Sequence, residues 1–257
     1  MFCGSCGKQI PDGSGFCPMC GASAGGGAPR PAANSAAGPS VAAGPSAAAA
    51  QRSKLEAQFK AGSQDAVQAF MVLVKDPVGG LAKSFGMFDS GRAQMVGGIF
   101  GLVYALAATI AASLLFSSIM GMFMGGGRLG MGFGSPPFSM YIKIFVAYVG
   151  EFAGLVAGCL LVRTLFKGAG DLASDLYIAG ASSLPGAVGA LAGSLLGQIH
   201  FSLLVVAAVF GGCYSVLMLY AGCLQIVKLV EGKAALAVPV VITVGLLAFG
   251  ILIKVLM

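Results

Sequence analysis

Four cysteines near the start of the chain have a spacing that suits metal binding. Cys3 and Cys6 form one Cys-x-x-Cys unit, and Cys17 and Cys20 form a second after a short loop. Each unit presents two thiolates along one edge of a tetrahedron, the geometry that Zn²⁺ prefers. The pattern predicts a zinc ribbon over residues 1–21 with one structural Zn²⁺ held by all four thiolates. Because protein ligands fill every position, the site would be closed and non-catalytic.

Two other uses of these cysteine pairs remain as alternatives: a pair of disulfides, or a thioredoxin-like redox motif. A redox Cys-x-x-Cys is expected beside a βαβ pattern, and the sequence here has none. The predicted compartment is reducing, which disfavours disulfides. About twenty residues cannot bury a useful core, so the metal would supply most of the folding free energy.

The rest of the chain is too apolar for a soluble domain. Of 257 residues, 57% are hydrophobic and only 9% are charged, with a mean hydropathy of +0.91. Soluble domains are about one-quarter charged, so the apolar excess must face lipid. We predict an all-α membrane protein with about five transmembrane helices in a bundle. Its scattered basic residues suit anionic headgroups, so the predicted partner is the lipid bilayer and not nucleic acid.

Composition divides the chain after the ribbon into three parts. Residues 22–50 are almost all Ala, Gly, Pro and Ser, which predicts a disordered linker. Residues 51–94 predict amphipathic helices that either lie on the membrane surface or pack on the ends of the bundle. In this part Gly62–Ser63 could interrupt a helix, and Asp76–Pro77 reads as an N-cap followed by a first helical proline.

Residues 95–257 form the predicted membrane domain. Each apolar stretch is long enough for a hydrocarbon core, which needs about 20 residues. The third stretch is the least apolar and contains Pro185, so its spanning is the weakest of the five predictions. The predicted spans are residues 95–118, 140–166, 177–197, 201–227 and 234–256.

The distribution of basic residues predicts the orientation. Eight of the fifteen Lys and Arg residues precede the first span. Arg163 and Lys167 flank the connection between spans two and three, and Lys228 and Lys233 flank that between spans four and five. The positive-inside rule places these segments in the cytosol. We therefore predict a multi-pass protein of the bacterial inner membrane with a cytosolic N-terminus and an external C-terminus.

Glycines recur every four residues in three of the spans. Such spacing lines one helix face with small residues and lets two helix backbones approach closely in a bilayer. The sequence does not tell packing within the chain from homo-oligomerisation through these faces. The series are Gly97 and Gly101; Gly150, Gly154 and Gly158; and Gly189, Gly193 and Gly197.

Little else in the sequence predicts chemistry, and we expect no enzymatic activity. His200 lies at the predicted outer end of spans three and four, where an interfacial histidine is expected. Asp171 and Asp175 are four residues apart and predict a solvated loop with helix-start carboxylates, or else weak cation binding. The three isolated cysteines, Cys159, Cys213 and Cys223, predict small buried packing residues.

Glu151 is the exception, because it lies well inside the second span between two glycines. An intramembrane carboxyl is costly and marks a functional hypothesis by default. The alternative is a neutral carboxyl hydrogen-bonded across a helix interface, with Tyr148, Tyr214 or Thr243 as partner. Lys143 lies eight residues earlier, too far along the helix for a direct pair.

The membrane domain resembles the Yip family of five-span membrane proteins, named as Ypt/Rab-interacting proteins, in its bacterial branch. The resemblance covers about residues 65–257 and includes Asp76–Pro77, the stretch from Lys167 to Pro185, and the stretch from Glu231 to Pro239. Asp175-Leu176-Tyr177 is similar to the start of the family's Asp-Leu-Tyr-Gly-Pro motif, with Ile178-Ala179 in place of Gly-Pro. The N-terminal part resembles the short zinc ribbons that begin many bacterial membrane proteins.

These observations predict a non-enzymatic membrane protein whose cytosolic zinc ribbon recruits or senses a protein partner, with a Yip-like role in membrane organisation. The alternative is a small transporter or channel that uses Glu151. A transporter is expected to carry polar residues in several spans, and the sequence shows few. A redox protein would need thiol turnover at the cysteine pairs.

Overall fold

The computed structural model describes residues 47–123 and 137–256, together with Gln9. The four predicted zinc ligands lie outside the described residues, as do most of the predicted linker and the loop after the first span. The chain divides into two compact units, Met1–Ser46 and Ala47–Met257. The second unit contains both long described segments.

The described segments contain seven helices, five of which are long and apolar enough to span a membrane. This confirms the predicted all-α membrane fold with five spans, and the chain is a multi-pass integral membrane protein. The helices are α1 (Ala47–Lys75), α2 (Gly80–Phe85), α3 (Ser90–Phe123), α4 (Phe138–Leu165), α5 (Leu172–Leu196), α6 (Phe201–Gln225) and α7 (Glu231–Leu256). The spans are α4 to α7 and, within α3, Ser90–Phe116.

The third span, α5, is the central helix of the bundle. It packs closely against α3 on one side and α6 on another, and it also contacts α4. The other large interface joins α4 to α7. The span with the weakest sequence signal is therefore the one that packs against three of the other spans.

Pro185 lies inside α5 without ending it. A helix that contains proline loses a backbone hydrogen bond, and in a membrane the exposed polar groups need another partner. Here the Gly186 N–H donates to Ser215 Oγ of α6 at 2.9 Å. The neighbouring span thus binds the backbone directly after the proline, where α5 is irregular.

The predicted glycine faces pack within the chain. A Cβ on Gly97 of α3 would lie 2.6 Å from the backbone carbonyl oxygen of Leu176 on α5. A Cβ on Gly154 of α4 would lie 2.9 Å from Gly245 Cα on α7. Helix backbones approach this closely only where side chains are absent. Homo-oligomerisation remains a prediction, and these interfaces do not require it.

The two connections predicted to be cytosolic lie side by side. The Ala169 N–H, between α4 and α5, donates to the Val227 carbonyl between α6 and α7 at 2.8 Å. A Cβ on Gly168 would meet the Val227 side chain. Both connections therefore belong to the same end of the bundle, as five alternating spans require.

Helix α1 runs without a break through Gly62 and Ser63, so the predicted interruption is wrong. The space left by the missing Gly62 side chain is taken by Met95 of α3, which makes glycine favourable within the helix. Asp65, which is 4% exposed, forms an ion pair with Arg92 of α3. The Arg92 Nε donates to Asp65 Oδ2 at 2.7 Å as one of two bonds.

The two faces of α1 differ in their surroundings. Ala66, Ala69 and Leu73 are buried in the core of the bundle. Five large apolar side chains elsewhere on the helix are at least 40% exposed. They are Phe59, Val67, Phe70, Met71 and Val74. One face thus packs on the bundle and the other is free to contact lipid, so α1 combines both predicted arrangements.

Asp76 caps a helical turn, although α2 begins later than the Asp76–Pro77 pattern predicts. The Gly79 N–H donates to Asp76 Oδ1 at 2.9 Å, and α2 then starts at Gly80. Tyr177 of α5 fixes α2 by donating its hydroxyl to Ser84 Oγ at 2.6 Å. Short α2 is thereby attached to the central span.

Candidate functional site

Residues from all five spans line a cavity of about 350 Å³. Helix α3 contributes Tyr104, α4 contributes Glu151, and α7 contributes Ile242. The serines come from α5 and α6: Ser182, Ser183 and Ser215. Polar side chains that look scattered in the sequence therefore meet at one place, which we call the central cavity.

Glu151 lies close to Tyr104, and both side chains line the central cavity. The sequence did not predict Tyr104 as its neighbour. Of the three predicted partners, Tyr148 is near, because its ring meets the Tyr104 ring edge-on with centroids 6.1 Å apart. Tyr214 instead stacks on Phe210, and Thr243 donates to the Pro239 carbonyl in its own helix.

Little in the sequence marked Tyr104 as a neighbour of Glu151. It is the one tyrosine of α3 and stands among apolar and small residues in mid-span. A hydroxyl at membrane depth needs a hydrogen-bond partner, and Glu151 is the carboxyl at matching depth. Pairing these two residues requires knowledge that α3 and α4 are neighbours, which the spacing within each helix does not give.

Glu151 has no cationic partner among the described residues. The two ion pairs in that part of the chain join Asp65 to Arg92 and Asp175 to Arg163. Loss of hydration at membrane depth disfavours an unpaired carboxylate. The arrangement therefore favours a neutral Glu151.

The serines of the central cavity bond mainly to helix backbone. Ser182 and Ser183 donate to the carbonyls of Ala179 and Gly180 at 3.2 and 2.8 Å. Ser215 accepts from the Gly186 N–H, as described above. A guest in the cavity would meet hydroxyl oxygens and one carboxyl, which together suit a proton or a small cation. The cavity has no paired nucleophile and base.

A second polar cluster surrounds the start of α5. Asp171 is the N-cap, with Oδ1 accepting from the Ser174 N–H at 3.0 Å while its own N–H donates to Ser174 Oγ at 2.9 Å. Ser90 Oγ of α3 donates to Asp171 Oδ2 at 2.6 Å. The hydrogen bond from Ser90 and that from the Ser174 backbone hold the pKa of Asp171 below its usual value. This confirms Asp171 as a helix-start carboxylate.

Asp175 is not solvated, so that part of the prediction is wrong. Its side chain is fully buried and pairs with Arg163 at the end of α4, with Nη2 2.8 Å from Oδ2. Arg163 Nε also donates to both carboxylate oxygens, at 3.1 and 3.0 Å. Asp175 lies one turn after Asp171 and faces α4, which places it inside the protein. Among the described residues, no group of three or more His, Cys, Asp or Glu side chains could hold a metal ion.

His200 and the isolated cysteines have structural surroundings. His200 is the exposed N-cap of α6, where Nδ1 accepts from the Ser202 N–H at 3.3 Å. Cys159 and Cys223 are buried and free, as predicted for packing residues. Cys213 is exposed, contrary to prediction, because its side of α6 is not covered by another helix.

Comparison with known proteins adds the identity of the N-terminal part. A family model described as a zinc-ribbon domain matches residues 2–24. The chain is a membrane protein with a zinc-binding domain. The match contains all four predicted ligands, Cys3, Cys6, Cys17 and Cys20. No match to a Yip family model was found, and no curated protein or solved structure matches the chain.

Proposed function

We propose that this chain is a non-enzymatic membrane protein whose cytosolic zinc ribbon recruits or senses a protein partner. The observation that carries the proposal is a zinc-ribbon match at residues 2–24 on a chain whose other unit is a five-span bundle. A zinc that is fully coordinated by protein has no open position for catalysis, which favours a structural role for the ribbon. The Ala, Gly, Pro and Ser composition of residues 22–50 supports a flexible tether. Yip-like membrane organisation is the role proposed for the bundle.

Zinc content tests the first part of the proposal. The purified full-length protein should contain one Zn²⁺ per chain, held by Cys3, Cys6, Cys17 and Cys20. The double variant Cys3→Ser/Cys6→Ser should lose it. Cys213→Ser, which changes an exposed thiol of α6, should retain it and is the matched control. Zinc-free wild-type protein after purification under reducing conditions, without chelator, would contradict the proposal.

Recruitment can be tested by affinity purification of the intact chain from its own membranes. Proteins that co-purify with wild type and with Cys213→Ser, but not with Cys3→Ser/Cys6→Ser, are the expected partners. The same set of proteins recovered with all three would show that the ribbon does not recruit.

The proposed location is the bacterial inner membrane, with the N-terminus in the cytosol and the C-terminus outside. The basic residues near the first span and in the α4–α5 and α6–α7 connections support this orientation. Reporters fused to each terminus should be active only on those sides. A cytosolic C-terminal reporter would contradict it.

The central cavity supports a second candidate, a small transporter or channel. An intramembrane carboxyl that meets hydroxyls from several spans is the arrangement expected of a proton or cation path. In liposomes with an internal pH-sensitive dye, a transporter should carry protons as wild type and lose flux as Glu151→Gln. Glu231→Gln, an exposed carboxyl in the first turn of α7, is the control. Equal, background flux in all three proteins would exclude proton transport.

A further inference from the structure

A second cavity, of about 470 Å³, lies between α1, α5 and α6. Its volume is within the roughly 300–1,000 Å³ range of small-molecule sites. Among its lining residues, Tyr214 alone has a hydrogen-bonding side chain. The walls include Phe70 and Val74 of α1, Leu184 and Val188 of α5, and Met218 of α6. We call it the apolar cavity.

The depth of the apolar cavity limits what can occupy it. Its α5 wall runs from Ala181 to Ala192 and its α6 wall from Ala207 to Met218, which are the middle parts of two spans. These segments lie in the hydrocarbon layer. Helix α1 is not a span, yet its last turns close the cavity. The end of α1 therefore covers a pocket at hydrocarbon depth.

Filling the apolar cavity with water and leaving it empty are both energetically unfavourable. Ordered water needs two to four polar partners, and the walls offer one hydroxyl. An empty cavity forfeits packing contacts in proportion to its volume. The cavity also opens sideways, because Val74, Val188 and Phe210 on its walls are 59%, 58% and 67% exposed. These side chains belong to the surface that faces the bilayer, so hydrocarbon chains have direct access.

We propose that the apolar cavity binds one acyl chain of a membrane phospholipid, held beneath the end of α1. The occupant follows from the depth, the apolar walls and the lateral opening. The site is separate from the central cavity, since the two share no lining residue. It is also independent of the zinc ribbon, so failure of the recruitment proposal would not affect it.

Native mass spectrometry of the full-length protein tests the proposal. Protein extracted in mild detergent should retain one phospholipid. Ala192→Phe adds a ring to the cavity wall and should reduce the retained fraction at least tenfold. Val206→Phe is the control, because Val206 is 65% exposed on α6 and does not line the cavity. Wild-type protein without retained lipid, or equal retention in the two variants, would overturn the proposal.

A second measurement does not depend on the Ala192→Phe variant. The chain contains no tryptophan, so Val188→Trp places a single fluorophore on the cavity wall. In membranes of brominated phospholipid its emission should be quenched and stay quenched after transfer to detergent. Val206→Trp should be quenched in the membrane and recover in detergent. Recovery of both to the same extent would overturn the proposal even if Ala192→Phe fails to fold.

Discussion

Helices α5 and α6 are both 25 residues long and both cross the membrane, but their surroundings are opposite. In the most apolar stretch of α5, 61% of residues are buried in the protein, against 17% for α6. Helix α5 carries buried Ser174, Asp175, Ser182, Ser183 and Ser194, whereas the buried residues of α6 are apolar or small. The two spans share a depth and differ in their neighbours.

This difference explains why the weakest hydropathy signal belongs to the central helix. A span that faces lipid must be apolar, because lipid offers no hydrogen bonds. A span that faces other helices can carry polar groups if those helices supply partners. The hydropathy of a span therefore reports how much of it contacts lipid. A moderately polar span in a membrane protein is a candidate for the central helix of the bundle.

The largest expected effect on this comparison comes from the ion pair of α5. Arg163→Ala leaves Asp175 buried without a partner, and we expect it to destabilise the protein by about 3–5 kcal/mol. The double variant Arg163→Met/Asp175→Leu removes both charges and should cost clearly less. Unfolding of the purified protein in mixed micelles measures both. Equal losses of stability in the single and double variants would show that an unpaired buried Asp175 is not the cause of the loss.

Two glycines offer a matched test of buried and open faces. Gly97→Ala places a Cβ against the α5 backbone, which cannot yield as a side chain can, and should cost about 1–3 kcal/mol. Gly212→Ala on α6 meets no atom within 4 Å and should be neutral or stabilise by about 0.5–1 kcal/mol, since alanine favours helix. Thermal unfolding of both variants is the measurement. A destabilised Gly212→Ala would mean that α6 has a neighbour on that face.

Ser215→Ala tests the link between the two helices. It removes the acceptor for the Gly186 N–H after Pro185, and an unsatisfied buried donor costs about 1–3 kcal/mol. Ser182→Ala removes a hydroxyl that donates only within its own helix and should change stability by less than that. The free energy of unfolding should separate the variants. Equal free energies of unfolding for the two variants would mean that the Gly186 N–H finds another acceptor.

The smallest effect is expected at the α5 cap. Asp171→Ala should cost about 0.5–2 kcal/mol, the usual loss for an N-cap. The lowered pKa of Asp171 means that its charge stabilises the fold above the unfolded-state pKa of about 3.9. That contribution is lost as the pH falls through the lower folded-state value. Asp171→Asn keeps the cap, so its melting temperature should fall less steeply than that of wild type below pH 4.

Periodic and compositional features predicted much of the fold. The five apolar stretches identified the five spans, because lipid contact requires long apolar helices. The glycine spacing identified faces of close approach. The same features placed the start of α5 too late. The predicted span begins at residue 177, whereas the helix begins at Leu172. The first turns of α5 carry Asp171 and Asp175, whose partners on α3 and α4 are distant in the sequence.

The candidate site was predicted only in part for the same reason. Glu151 stands out in its own helix because a carboxyl at membrane depth is costly. Tyr104, Ser182 and Ser215 are unremarkable in theirs, and only the arrangement of spans brings them together. The zinc ligands were the opposite case, since all the needed spacing lies within 18 consecutive residues, Cys3 to Cys20. They stay a prediction, outside the described residues.

The pairing of α4 with α7 has a consequence for synthesis. The glycine face of α4, with Gly154 against Gly245, has its partner in α7, which is synthesised after α5 and α6. During insertion that face lacks its partner while α5 and α6 enter the membrane, so one of the main interfaces forms only after α7 is released. A chain truncated before Glu231 should therefore expose the Gly150, Gly154 and Gly158 face to lipid, where quality-control proteases and other small-residue helices can reach it.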